Sequence, residues 1–146
     1  MRWLTLGLAF AVGITAASAL AVDDPILSRK KLMQASGGAV GTILAMVKGE
    51  ADFNPAIAGA ALATLNAVAY TAGDYFPEGS GEGDTKADPN IWQDMAGFEA
   101  AFANFQQVTD EARASNPQSV EDLQAAMGAI GRTCGGCHED YRIPDN

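Results

Sequence analysis

The stretch Ser119-Val120-Glu121-Asp122-Leu123-Gln124-Ala125-Ala126-Met127-Gly128-Ala129-Ile130-Gly131-Arg132-Thr133-Cys134-Gly135-Gly136-Cys137-His138-Glu139-Asp140-Tyr141 reads as one long amphipathic helix. Val120, Leu123, Met127, Ile130, Cys134, Cys137 and Tyr141 recur at three- and four-residue steps, the spacing that gathers side chains on one helical face. Ser119 supplies an N-cap, and Asp122 three residues on is a capping-box acid. Both cysteines therefore fall on the face that turns toward a core.

Three more helices are read by working back toward the amino terminus. Asp88-Pro89 is a cap followed by a first-turn proline. After it Ile91, Met95, Phe98, Phe102, Phe105 and Thr109 form a seam that ends before Ser115-Asn116-Pro117. An aromatic seam of this kind is bundle core first, although one of its rings can also touch a buried cofactor. Asn54-Pro55 repeats the start signal for a helix with Ile57, Ala61, Leu65, Val68 and Ala72 on its stripe and Gly73 as its stop. Asp24-Pro25 opens the first helix, which runs to Lys48 with Ile26, Met33, Gly37, Val40, Leu44 and Val47 on one face. Between the second and third helices, Asp74 to Asp88 is rich in Gly, Pro and acidic residues, and reads as a long surface connection without packing of its own. No strand-like alternation of useful length is present. The fold class is all-α: an antiparallel, up-down four-helix bundle, whose core is a usual place for a cofactor.

Met1 to Ala21 reads as a secretory signal peptide, with Arg2 at its start, an apolar run from Leu4 to Ile14, and Ala19-Leu20-Ala21 as a cleavage site. Residues 22–146 then make a single domain, exported, with no membrane anchor after cleavage. Removing Arg2 leaves eight basic side chains against eighteen acidic ones, a formal charge of −10. That charge argues against nucleic acid as a partner, because phosphates need a basic footprint, and is compatible with a basic protein partner.

Cys134-Gly135-Gly136-Cys137-His138 is the signature for covalent attachment of a c-type haem, one per chain. Two thiols three residues apart can reach the two vinyl groups on one porphyrin edge, while the next residue turns its imidazole to the iron. A redox disulfide expects a strand-to-helix setting, and a structural zinc site wants four protein ligands. His138 is the only histidine in the chain, so a second histidine cannot fill the opposite axial position. Met33, Met46, Met95 and Met127 are the alternatives, or an open iron beneath an apolar side chain. Met127 shares a helix with His138, whereas Met33 lies on the inner face of the first helix with Gly37 one turn on. A methionine and histidine pair suits electron transfer. No acid, base or nucleophile constellation is present, so an enzyme is not expected.

The chain resembles the class II cytochromes c, which include four-helix cytochromes c' and low-spin relatives of the c-556 and c-554 type. The resemblance rests on the carboxy-terminal run Cys134-Gly135-Gly136-Cys137-His138-Glu139-Asp140-Tyr141-Arg142, on Ile91-Trp92, and on Arg29-Lys30-Lys31-Leu32-Met33. It implies that Cys134 and Cys137 anchor the haem, that His138 is the proximal ligand with Arg142 nearby, and that Arg29 contacts a haem propionate. It also implies that Met33 is the second iron ligand, since low-spin members place a ligating methionine there and high-spin members a leucine or phenylalanine. The function so implied is a low-spin monohaem electron carrier of the bacterial periplasm, with transient redox protein partners. The alternative is a high-spin protein that binds nitric oxide or carbon monoxide at an open site. Relatives of this kind often pair through their first two helices, so a homodimer is compatible with the resemblance.

Overall fold

The computed structural model describes residues 24–145. The signal-peptide assignment to Met1–Ala21 lies outside the described residues. Helix α1 is Pro25–Val47, α2 is Pro55–Thr71, α3 is Asn90–Gln93, α4 is Met95–Ala114 and α5 is Val120–Tyr141. The start signals act as the sequence suggests at three places. Asp24 accepts from Leu27 N, Asn54 from Ala56 N and Ile57 N, and Ser119 from Asp122 N, which satisfies amide groups that a helix leaves unpaired at its first turn.

Helix α1 packs on α2, α2 on α4 and α4 on α5, and a sparser α1–α5 seam closes the ring. The short turns 48–54 and 115–119 force the pairs they join to run antiparallel, giving the four-helix bundle. Helix α2 with its 3-10 continuation is apolar enough, by length and composition, to cross a bilayer. Here its Leu62, Leu65, Val68 and Ala69 are bundle core.

The core divides in two. Ile43, Met46, Leu62, Leu65, Leu123 and Ile130 form an aliphatic cluster, and Val68, Ile91, Phe98, Phe102 and Tyr141 an aromatic one. Phe98 stands edge-on to Phe76, Phe102 and Tyr141, with centroids 4.7, 5.0 and 5.4 Å away, the arrangement that ring quadrupoles favour.

Four details depart from the sequence reading. The third helix is broken: α3 is one turn, and Asp94, with φ −129° and ψ 59°, ends it and caps α4 by accepting from Gly97 N. Gly73 does not stop α2, because the chain continues through it as a 3-10 turn, Ala72–Tyr75. On α1 the buried positions are Arg29, Ala39, Ile43 and Met46, and Gly37 faces outward with open space around it. On α2, Ile57 is half exposed. Both helices carry apolar or small residues nearly all the way round, so periodicity alone does not select their inner face.

The connection 76–89 is also not slack. Arg29 holds Tyr75, Ser80 and Thr85, Lys30 pairs with Asp84 at 2.7 Å, and the Trp92 indole donates to the carbonyls of Phe76 and Pro77. Gly81 is needed there, because a Cβ would sit 2.7 Å from the Trp92 ring. The glycine-rich composition that suggested slack instead serves close approach.

Candidate functional site

A cavity of about 410 Å³ opens beside the aromatic cluster, within the range of small-molecule and cofactor sites. Helix α1 contributes Arg29, Lys30, Met33 and Gln34, and α5 contributes Cys137, His138, Tyr141 and Arg142. Phe76, Ile91, Phe98 and Phe102 supply an apolar wall, and Asp84, Thr85, Lys86 and Ala87 close one side. Five of the six residues singled out in the sequence, Arg29, Met33, Cys137, His138 and Arg142, thus meet around one space. Cys134, one turn before His138, packs half-buried against the aliphatic cluster.

The electrostatics follow from burial. The Cys137 thiol is pushed up to about 11, by desolvation first and then by Cys134 and Asp140, and Cys134 is raised by desolvation. Neither thiol is in a disulfide. Desolvation, then the Arg142 charge, lowers the His138 imidazole below its ordinary value, which favours the neutral form that binds metal. Among the described residues, Met33 alone of the methionines lines this cavity: Met46 is buried in the aliphatic core, Met127 packs against it, and Met95 packs on the aromatic cluster.

Arg29 is only 4% exposed. Its Nη1 donates to Tyr75 O and Ser80 Oγ, and its Nη2 to Ser80 O and Thr85 Oγ1 at 2.7 Å. Its guanidinium also lies 5.0 Å from the centroid of the Phe76 ring, so among the described residues its hydrogen bonds and its ring contact are all with neutral groups. Asp24 acts on it only through its charge, without a hydrogen bond, and a buried cation whose hydrogen bonds all go to neutral groups is costly unless an anion completes the site. Arg142 differs, being half-buried at the mouth and paired with Asp145 at 2.6 Å. On the same face of α1, Ser36 Oγ is buried without a hydrogen-bond partner.

A largely apolar slot with the Cys137 thiol in its lining and Cys134 one turn back along the same helix, a thioether and an imidazole on two different helices, and a buried guanidinium fits a flat, iron-bearing, dicarboxylate macrocycle. The sequence profile of the cytochrome c' family matches residues 24–142. The chain belongs to that family. A cytochrome c-556 from Agrobacterium fabrum is 32% identical over 143 residues, covering 98% of this chain and 97% of that one. A cytochrome c' from Rhodopseudomonas palustris is 34% identical over 125 residues, covering 85% of each. The solved cytochrome c' of Rhodopseudomonas palustris superposes with a TM-score of 0.79 at 33% identity, covering 84% of this chain and 98% of that one. Cytochromes c of this family carry haem c bonded covalently to cysteine, and Cys134 and Cys137 are the only two cysteines in the sequence. The protein is therefore a haem protein of the class that transfers electrons or binds gases.

Sequence reasoning missed Phe76, which faces Phe98 and Arg29, and Asp94. Phe76 lies near the start of a segment read as a surface connection without packing of its own. Asp94 three residues before Gly97, inside a helical seam, was the overlooked cap signal.

Proposed function

We propose that this cytochrome is a low-spin, monohaem electron carrier of the periplasm, in which His138 and Met33 would both ligate the haem iron. The observation that carries the proposal is that Met33 lines the same cavity as His138 from a different helix, while the other described methionines do not. Bound haem supplies an iron that alternates between ferric and ferrous states. The chain's own part is to hold its ligands still. The thioether is fixed by α1 through Arg29 and Lys30, one turn before Met33, and the imidazole by α5, so little rearrangement accompanies a change of charge.

In this reading Arg29, whose loop contacts use only its Nη1 and Nη2 donors, would hold a haem propionate through Nε–H, and Arg142 would offer a second cation at the mouth. No acid, base or nucleophile is needed, and partners are redox proteins that dock transiently. Resemblance to the c-556 type supports methionine ligation. The gas-binding reading is favoured by the apolar wall of Phe98 and Phe102 and by the 34% identical cytochrome c', and it requires Met33 to leave the iron free.

An optical spectrum of the holoprotein, oxidised and then reduced, with and without carbon monoxide, separates the two. The expected result is a low-spin spectrum with a weak far-red sulfur-to-iron band that carbon monoxide leaves unchanged. A high-spin spectrum with ready carbon monoxide binding overturns Met33 ligation.

A further inference from the structure

The last turn of α5 carries His138 and ends at Tyr141, and a helix leaves the carbonyls of its last turn without intrahelical partners. Here the segment that leads into α3 supplies partners for two of them. Asp88 N donates to Tyr141 O at 3.0 Å and Asn90 Nδ2 to Asp140 O at 3.3 Å. Ala87 and Arg142 form an isolated antiparallel bridge, and Ile143 N donates to Lys86 O. The end of the helix that carries the haem anchors is thus stitched to residues 86–90.

One side-chain contact extends this stitching to α4. The Tyr141 hydroxyl donates to Asp94 Oδ2 at 3.1 Å, while Asp94 Oδ1 accepts from Gly97 N at 3.1 Å. A single carboxylate therefore caps α4 and holds the end of α5. Gly97 makes the room: a Cβ there would lie within 2.5 Å of the Tyr141 hydroxyl and against the Asp94 carboxylate. The Tyr141 ring is buried, stands edge-on to Phe98, and lines the cavity beside Cys137 and His138.

We propose that Asp94, Gly97 and Tyr141 form a positioning device that fixes the last turn of α5 against α4 and so sets the orientation of the His138 imidazole. This rests on His138 being an iron ligand and adds residues that never touch the iron. The hydroxyl is the link that can be removed alone. Tyr141→Phe keeps the ring packing on Phe98 and deletes only the tether. Gly97→Ala pushes a methyl group into both partners. Asp94→Asn keeps an N-cap and presents an amide that can donate to the Tyr141 oxygen, so it removes the charge and keeps the link.

Paramagnetic proton NMR of the oxidised holoprotein tests this, because the spread of the haem methyl resonances reports how an axial ligand is oriented. Tyr141→Phe should change that spread and broaden or double the lines, and Gly97→Ala should do the same, whereas Asp94→Asn should retain the wild-type pattern. If Gly97→Ala does not fold, Tyr141→Phe decides the matter alone. A wild-type pattern in Tyr141→Phe overturns the proposal. So does a change in Asp94→Asn with none in Tyr141→Phe, which would assign Asp94 a charge effect instead. A wild-type holoprotein lacking hyperfine-shifted imidazole resonances overturns His138 ligation itself, and is read before any variant is made.

Discussion

Arg29 Nη2 donates to the carbonyl oxygen of Ser80 at 2.6 Å, tying the first helix to a loop fifty-one residues later. The guanidinium stays charged although burial lowers its pKa, with Asp24 opposing the shift. It thereby fastens residues 75–85 over the helical turn next to Met33. Replacing Arg29 with Ala should lower stability by about 2–3 kcal/mol, the scale of lost hydrogen bonds to a charged donor, read as a drop in the urea midpoint. The loop should also become cleavable by protease between Pro77 and Asp84. A variant whose loop resists protease as well as the wild type would show that Lys30 and Trp92 hold it unaided.

Met33 and Met46 offer a paired test on one helix. Met33→Ala should convert a low-spin ferric spectrum to a high-spin one and open the iron to carbon monoxide. Met46→Leu, in the aliphatic core at 3% exposure, should leave the spectrum alone and cost less than about 1.5 kcal/mol, as volume-conserving core exchanges do. A low-spin spectrum surviving in Met33→Ala would rule Met33 out as the ligand.

The bundle was legible because its helix starts are written in short, local chemistry. Asp24-Pro25, Asn54-Pro55 and Ser119 with Asp122 each satisfy amides within three residues, so no tertiary information is needed. The meeting of Cys137 and His138 with Met33 and Arg29 was legible through the attachment motif and the resemblance it carries. The inner face of α1 was not. From Met33 onward the helix has no charged residue until Lys48, so Gly37 and Ala39 are equally acceptable inward, and packing of Ile43 against Leu62 and Leu123 decides. The order in residues 76–89 was hidden for a different reason: its anchors, Arg29 and Trp92, lie outside the loop on two different helices.

Leu65 measures how far the bundle depends on the aliphatic cluster. It is fully buried among Ile43, Leu62 and Leu123, so Leu65→Ala should cost about 2–5 kcal/mol, the lost transfer energy plus the cavity left behind. Denaturant unfolding of the holoprotein reads this directly. A cost below about 1 kcal/mol would mean that the surrounding helices collapse into the space.

Tyr70 and Asp110 link α2 to α4 on the surface away from the cavity, and their contribution should depend on pH at both ends of the scale. The Tyr70 hydroxyl donates to Asp110 Oδ2 at 2.6 Å, and Asn66 Nδ2 donates to Asp110 Oδ1 at 2.8 Å. These two bonds, with the Arg113 charge as a lesser contributor, hold the Asp110 carboxyl below its ordinary value of 3.8. The same Tyr70 bond, chiefly, raises the phenol above its ordinary value of 10.0. A depressed carboxyl stabilises the fold above its unfolded pKa, and that contribution is lost as pH falls through the lower folded value. A raised phenol stabilises it below its unfolded pKa, and the contribution is lost as pH rises through the higher folded value. Tyr70→Phe should therefore show a lower urea midpoint than the wild type, with a constant gap between pH 3.8 and 10.0 that closes beyond each limit. A gap that persists unchanged below pH 3 would mean that the lost bond does not depend on the Asp110 charge.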